Sequence, residues 1–360
     1  MTILFLVRLF YPHGGGVERH VLEVGKRLIE KGHKVIVVSE EVPQAYGVGY
    51  HSKARSAKVA GSVSGIEAYR IKIGGSEWLK KFRIWWWLFI HKKLIEQADI
   101  VHAHDVFFWY FPFRLLYPAK KVYTTFHGWE TTFPLAKKSI FVRKMSEKLS
   151  FGNICVGNYI KKWYGTKPTY VTYGGVDITK NSKLKIQNDP LRSGANKSKL
   201  KIIFIGRFEK DIGVKTYIEV LDLLKKRNVE LEFKAYGERP LQKDLQKYGK
   251  IRTFSTQKVE KALQGANAVF VSSYLSIFMA MAQKRLVFSV YNNPLKHDYL
   301  AMAPFAKWIA IANSPEKLVE KMLYFNRHTK EKTVMLEGAY NWVRIQTWAE
   351  VVALYLKLWK

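Results

Sequence analysis

The stretch that most constrains this chain is its start, residues 3–38, ILFLVRLFYPHGGGVERHVLEVGKRLIEKGHKVIVVS. An apolar run from Ile3 to Val7 leads into a glycine triplet, Gly14, Gly15 and Gly16. A helical pattern opens directly behind it, and a second apolar run, Val35 to Val38, follows. The order is one strand–loop–helix–strand unit. Glycines at the mouth of a helix let backbone N–H groups approach an anion, and a helix N-terminus favours negative charge. The ligand this predicts is a phosphate or diphosphate; a tight turn without a ligand is the alternative.

The alternation continues. Strand-like runs at 68–73, 100–104, 121–127, 154–156 and 170–172, mostly separated by helical stretches, predict a doubly wound parallel sheet. Residues 178–200 are polar and aperiodic and read as a linker. Beyond it come a strand at 202–205, the loop GRFEKDIG, a helix at 214–226, and strands at 231–235, 251–254, 268–271, 286–290 and 308–311. The two halves repeat one plan, and 360 residues fit two domains. The expected fold class is therefore α/β, with two Rossmann-like domains facing across a cleft and ligands at the strand C-termini. The expected bounds are 1–177 for the first domain, 178–200 for the linker and 201–338 for the second domain. One long helix over 339–360 is expected to pack back toward the first domain.

A hydrophobic content of 48% excludes a disordered chain. A single cysteine, Cys155, excludes an internal disulfide and suits a reducing cytoplasm. No apolar run reaches the ~18–20 residues of a spanning helix. The N-terminus reads as a strand carrying Arg8, not as a signal peptide. Sixty Lys and Arg against 29 Asp and Glu give a net charge of +31, which attracts nucleic acid, anionic membranes or phosphorylated substrates. No nucleic-acid motif accompanies the charge, so no specific nucleic-acid partner is expected.

Residues 78–95, WLKKFRIWWWLFIHKKLI, contain no acid. At ~100° per residue, Trp78, Phe82, Trp85 and Phe89 share one stripe, and Ile84, Trp87, Leu88, Leu94 and Ile95 lie on another arc. One face serves the core. The other suits a membrane interface, with Lys81, Lys92 and Lys93 meeting anionic lipid. Packing of both faces inside the protein or a dimer is the alternative. A second aromatic-basic run, VFFWYFPFRLLYPAKK, occupies 106–121. The expected location is the cytoplasm, peripherally at the inner face of the cytoplasmic membrane.

His127 and Arg207 both follow strands, at the edge where a ligand would lie. A fixed cation at such an edge suits a phosphate ligand, and a surface arginine on a loop is the alternative for Arg207. His102 and His104 alternate along one strand and face the same side. With no further Cys/His cluster, no metal is expected. No paired carboxylates stand at glycosidase spacing.

The chain resembles the GT-B glycosyltransferases, and within them the large family 4 group of retaining enzymes. The matching segments are YPHGGGVERHVLEVGKRLIEKGHKVIVVS, VHAHD, TTFHGWE, VGNYIKKWYG and YGGVD in the first half. IFIGRFEKDIGVKTYIEVLDLL, GANAVFVSSY and MAMAQKRLVF match in the second. The resemblance implies a nucleotide-sugar donor, a lipid-linked or glycan acceptor, and no metal or other cofactor. It places Gly15, Gly16, Gly174, Val176 and Asp177 at the donor, Glu18 at the acceptor and His127 beside the transferred sugar; Gly14, Gly206, Lys210 and Ser273 are further donor candidates, and His104 is a further acceptor candidate. It makes Arg207 the neutraliser of the leaving diphosphate. Retaining enzymes of this type react on one face of the sugar, the leaving phosphate helping to take the acceptor proton.

The chain also departs from the family. Ile212 stands where a lysine is usual; Lys210 and Lys215 are near but out of register. Of two usual glutamates, the second position is Met279, and SSYLSIFMAMAQKR is too short for the first and its glycine loop. Methionine cannot accept a comparable hydrogen bond. The segment after the helix reads Lys284-Arg285-Leu286-Val287 in place of the usual GxPV. Either the enzyme holds its donor differently, or the chain is a non-catalytic GT-B binding or scaffold protein at the membrane. A sugar-nucleotide epimerase, which shares the architecture, is a third reading.

Overall fold

A computed structural model describes residues 1–41, 60–74, 76–128, 133–178, 199–209, 212–237 and 242–360. They divide into two units, one made of Met1–Thr172 with Trp348–Lys360, the other of Tyr173–Thr347.

The first unit is built on eight strands: β1 (Thr2–Val7), β2 (Lys34–Glu40), β3 (Ala60–Val63), β4 (Ile66–Ile71), β5 (Ile100–His104), β6 (Val122–Phe126), β7 (Asn153–Val156) and β8 (Tyr170–Thr172). Their order is β3-β4-β2-β1-β5-β6-β7-β8. All pair in parallel except β3 with β4. The helices are α1 (Gly16–Glu30), α2 (Lys80–Ile90), α3 (Lys93–Gln97), α4 (Phe111–Leu116), α5 (Lys137–Leu149) and α6 (Tyr159–Tyr164). β1 is apolar without alternation because both of its faces are covered, as in parallel sheets generally. Helix α1 approaches closely at Gly25, where a Cβ would lie 2.7 Å from Ile66 Cδ1. The antiparallel strand β3 is not expected from the sequence. It turns into β4 through Ser64 and Gly65, both at positive φ, the geometry of a two-residue hairpin.

The second unit has β9 (Leu200–Ile205), β10 (Leu231–Tyr236), β11 (Gly249–Arg252), β12 (Ala268–Phe270), β13 (Leu286–Val290) and β14 (Ala310–Ala312). The sheet is wholly parallel in the order β11-β10-β9-β12-β13-β14. Its helices are α7 (Val214–Lys226), α8 (Gln242–Gln246), α9 (Thr256–Leu263), α10 (Tyr274–Ala282), α11 (Pro294–Ala301), α12 (Pro315–Arg327) and α13 (Thr329–Val343). The strand expected at 251–254 instead starts at Gly249, where a Cβ would lie 2.0 Å from the carbonyl oxygen of Phe233. The strand expected at 308–311 is delayed by a 3-10 turn at Ala306–Trp308.

The C-terminal segment is two helices where the sequence suggested one. α13 ends at Val343 in the second unit, and α14 (Trp348–Trp359) lies in the first. The helix breaks because the intervening backbone pairs elsewhere: the Val176 N–H donates to the Gln346 carbonyl at 2.9 Å, and Val176 and Thr347 form a parallel bridge. Gly174, Val176 and Asp177 thus count with the second unit. Of the expected linker, 179–198 lie outside the described residues, and Leu200 already opens β9. Among the described residues no helix is long and apolar enough to cross a membrane.

Candidate active site

In the first unit the C-terminal ends of β1, β5 and β6 carry the predicted residues. His102 and His104 alternate along β5 and are both buried, and His127 follows β6 directly. His104 Nδ1 lies 3.1 Å from His127 Nε2. His20, from α1, stands edge-on to His127 with the ring centroids 4.9 Å apart. Burial pushes His20, His102 and His104 well below the ordinary imidazole value, and neighbouring imidazoles push the same way. Burial, and then the Arg143 cation, bring His127 down to about 3. Near neutral pH all four rings are uncharged, each with one N–H donor and one acceptor nitrogen. Among the described residues no group of three or more His, Cys, Asp or Glu could hold a metal ion.

The turn after β6 is clamped from both sides. Asp105, itself at φ +60°, accepts from the His127 backbone N–H at 3.0 and 3.2 Å, and the Gly128 N–H also supports its carboxylate. Burial raises the Asp105 carboxyl, against the Arg143 cation 3.9 Å away. Arg143 is itself held over the rings of Tyr164 and Phe126, at 4.0 and 4.9 Å. Tyr159 Oη donates to the His127 carbonyl at 3.0 Å, and Tyr164 Oη to that of Gly128 at 3.3 Å. Gly128 has φ +69°, and a Cβ there would lie 2.6 Å from Ile160 Cδ1, so only glycine fits. His127 is therefore presented on a rigid turn.

At the opening of α1, Gly15 is the N-cap, and Gly14 and Gly16 are exposed. Glu18 is buried in the first turn and lies 2.8 Å from His13 Nδ1. A Cβ on Gly15 would lie 2.1 Å from Glu18 Oε2, so the carboxylate lies across the glycine. The positive end of this helix is met by a carboxylate of its own chain, which complements the dipole.

In the second unit Arg207 follows β9 and Ser273 follows β12, its neighbour, so both lie at one sheet edge. Arg207 Nη1 is 2.6 Å from Glu209 Oε2, an ion pair the sequence reading missed. Gly206 has φ +152°, and its carbonyl would lie 1.9 Å from a Cβ on Gly237, so β9 and β10 end in close backbone contact. Ile212 is buried in the core. Lys210 lies outside the described residues. Gly174, at φ +92°, rests against α10, where its Cβ would lie 2.5 Å from Leu275 Cδ2. Asp177 is exposed.

The shortened segment before α10 is closed by aromatic rings. The Tyr274 N–H donates to Tyr299 Oη at 3.0 Å, the Tyr274 hydroxyl donates to the Tyr299 carbonyl at 2.6 Å, and the rings stack 4.0 Å apart. The buried Lys296 donates to the Ser272 carbonyl at 2.6 Å. Ser273 Oγ lies 3.1 Å from Ser276 Oγ, and Met279 is buried.

Residues 14–180, almost all in the first unit, match the family model described as Glycosyltransferase Family 4. The glycosyltransferase from Rickettsia africae ESF-5 superposes with a TM-score of 0.68 at 17% identity, covering 100% of this chain and 97% of the other. The family match covers less than half of the chain, and the chain as a whole has the GT-B fold. A mutant of S. aureus TarM, solved with Fondaparinux, alpha-GlcNAc-glycerol and UDP, superposes at 0.67 with 13% identity, covering 100% and 99%. The gpi3 subunit of the phosphatidylinositol N-acetylglucosaminyltransferase of Schizosaccharomyces pombe is 22% identical over 244 residues, 66% of this chain. The chain spans about half the length of that relative, 51%.

In this glycosyltransferase fold, α2 buries Ile84 and Leu88 and exposes an aromatic face. Trp78, Phe82 and Phe89 lie on that face as expected, at 78%, 57% and 51% exposure. Trp85 does not. It is half-buried, because its indole N–H donates to the Phe108 carbonyl at 3.0 Å. Trp86, 65% exposed, takes its place and stacks with Phe89. Lys81, Lys92 and Lys93 are exposed, Lys81 with its amine 5.8 Å from the Phe108 ring centre. His20, Thr125, Arg143, Tyr159, Tyr164, Tyr355 and Trp359 carried no signal in the sequence. Asp105 was visible only as part of the HxHD run.

Proposed function

We propose that this protein transfers a sugar, with retention, from a nucleotide-sugar donor to a lipid-linked or cell-envelope glycan acceptor at the inner face of the cytoplasmic membrane. The observation that carries the reading is the clamped His127, held by Asp105 and Tyr159 at the ligand edge of a family 4 domain. The donor diphosphate binds at Arg207, which leaves Glu209 to do so, and the acceptor binds near Glu18 and His104. The gpi3 relative carries phosphatidylinositol in its name, which supports a lipid acceptor. The exposed aromatic-basic face of α2 supports contact with an anionic membrane. No metal or other cofactor is required.

A second reading is favoured by the buried Met279 and the closed Tyr274–Tyr299 pair: a GT-B protein that binds a ligand or partner without catalysis. Thermal-shift binding to UDP-, GDP- and ADP-sugars, with Arg207→Ala as control, separates the two. Stabilisation by one base series, lost in the variant, supports the enzyme. No stabilisation of a folded protein supports the second reading.

A further inference from the structure

Helix α14 ends in a row of groups that reaches the histidines of the first unit. Trp359 Nε1 lies 3.1 Å from His102 Nδ1, His102 Nε2 lies 2.7 Å from Thr125 Oγ1, Thr125 Oγ1 lies 2.7 Å from Tyr355 Oη, and Tyr355 Oη lies 2.9 Å from His20 Nε2. An indole N–H only donates. His102 therefore accepts at Nδ1, carries its proton on Nε2 and donates to Thr125. Among the described residues Thr125 has His102 and Tyr355 as its hydroxyl partners. If Tyr355 also donated to Thr125, the Thr125 proton would have no acceptor in a fully buried position, a costly arrangement. Thr125 thus donates to Tyr355, and Tyr355 donates to His20 Nε2. The proton of His20 is left on Nδ1. That atom is not among the sealed polar atoms without a partner, so it is the open end of the row.

A parallel argument fixes the ring beside it. His104 Nε2 is sealed and unpartnered. An orphaned buried N–H is rarer than an under-satisfied acceptor, so His104 keeps its proton on Nδ1 and donates to His127 Nε2. His127 then carries its proton on Nδ1 as well.

We propose that α14 locks the histidine tautomers: Trp359, Thr125 and Tyr355 are positioning residues that make His20 a second neutral Nδ1–H donor beside His127. Two such donors on adjoining rings take oxygen lone pairs of a ligand, from a sugar hydroxyl or from a phosphoryl group. The ligand assignment rests on the glycosyltransferase reading; the tautomers do not.

The test is long-range proton–nitrogen correlation NMR on the full chain labelled with 15N-histidine. The expected wild-type pattern is Nδ1–H for His20 and His127 and Nε2–H for His102. Tyr355→Phe removes the hydroxyl that donates to His20 Nε2 and should move the His20 Nε2 resonance to that of an acceptor nitrogen without a donor. Trp359→Phe should release the direction of the row, and Thr125→Ser should preserve it. An Nε2–H His20 in the wild type, or a His20 unmoved by Tyr355→Phe, overturns the lock. Titrations with methyl glucoside and with inorganic phosphate follow His20 and His127 together. Movement of both rings by one ligand identifies the group, and movement by neither overturns the ligand assignment while leaving the tautomer result to stand.

Discussion

His127 does not stand alone at the sheet edge; its backbone is held by one carboxylate and one phenol. Removing Asp105 takes away the acceptor for the His127 N–H and leaves Arg143 beside an empty position. Asp105→Ala should cost about 1 kcal/mol of stability, the scale of one lost hydrogen bond. Asp105→Asn, which keeps an acceptor and tolerates φ +60°, should cost less. Chemical denaturation of both variants checks this, and equal losses would refute the clamp. The three buried histidines and the half-buried His127 set a pH dependence. Each is depressed in the folded state, so below about 6.5 the unfolded chain binds protons that the folded chain refuses. Stability is then full above that pH and falls as pH drops, by up to about 1.4 kcal/mol per pH unit for each histidine. Asp105, raised by burial, acts with the opposite sign, from its raised value downward. Between pH 7 and pH 5 the melting temperature should fall by roughly 10 °C or more; a flat melting profile would mean that the rings are not sealed. His127 and His104 were readable because they sit at the ends of obvious strands. Tyr355 and Trp359 were not, because their partners lie 230 and 257 residues away in the sequence, a pairing no local pattern encodes.

At the scale of elements, apolar runs located every strand of the first sheet except β3, a four-residue edge strand whose sequence, AGSV, has no apolar alternation. Helix α2 shows where periodicity stops. Its stripe correctly gave Trp78, Phe82 and Phe89 as outward, but could not tell Trp85 from Trp86. The Phe108 carbonyl, on a 3-10 turn over Phe107–Trp109, decided it. The two tryptophans should therefore behave oppositely. Trp86→Ala should weaken flotation with phosphatidylserine vesicles and leave the melting temperature nearly unchanged. Trp85→Ala should lower the melting temperature, since it removes a half-buried ring and leaves the Phe108 carbonyl unpaired. Equal flotation losses with no stability difference would place both rings on the same surface. The break between α13 and α14 was hidden for a related reason: Arg344 to Thr347 contain no proline or glycine, and the bridge to Val176 comes from distant sequence.

For the whole molecule, composition gave the net charge of +31 but not what it meets. Fold and charge are separable here, because the two parallel sheets follow from apolar periodicity while the lysines and arginines lie mostly outside the cores. Long-range attraction to a polyanion is screened as the Debye length shrinks from ~10 Å at 0.1 M salt to ~3 Å at 1 M. Burial of aromatic rings in an interface does not depend on charge screening. Binding to random DNA should therefore vanish with rising salt, since charge alone drives it. Binding to anionic vesicles should fall over the same range to a salt-resistant remainder. That remainder should be absent from Trp78→Ala/Phe82→Ala/Trp86→Ala/Phe89→Ala, while the variant's binding at low salt, carried by Lys81, Lys92, Lys93 and the net charge, persists. Vesicle binding that disappears with salt as completely as DNA binding would assign the interaction to charge and leave the α2 aromatics to another partner.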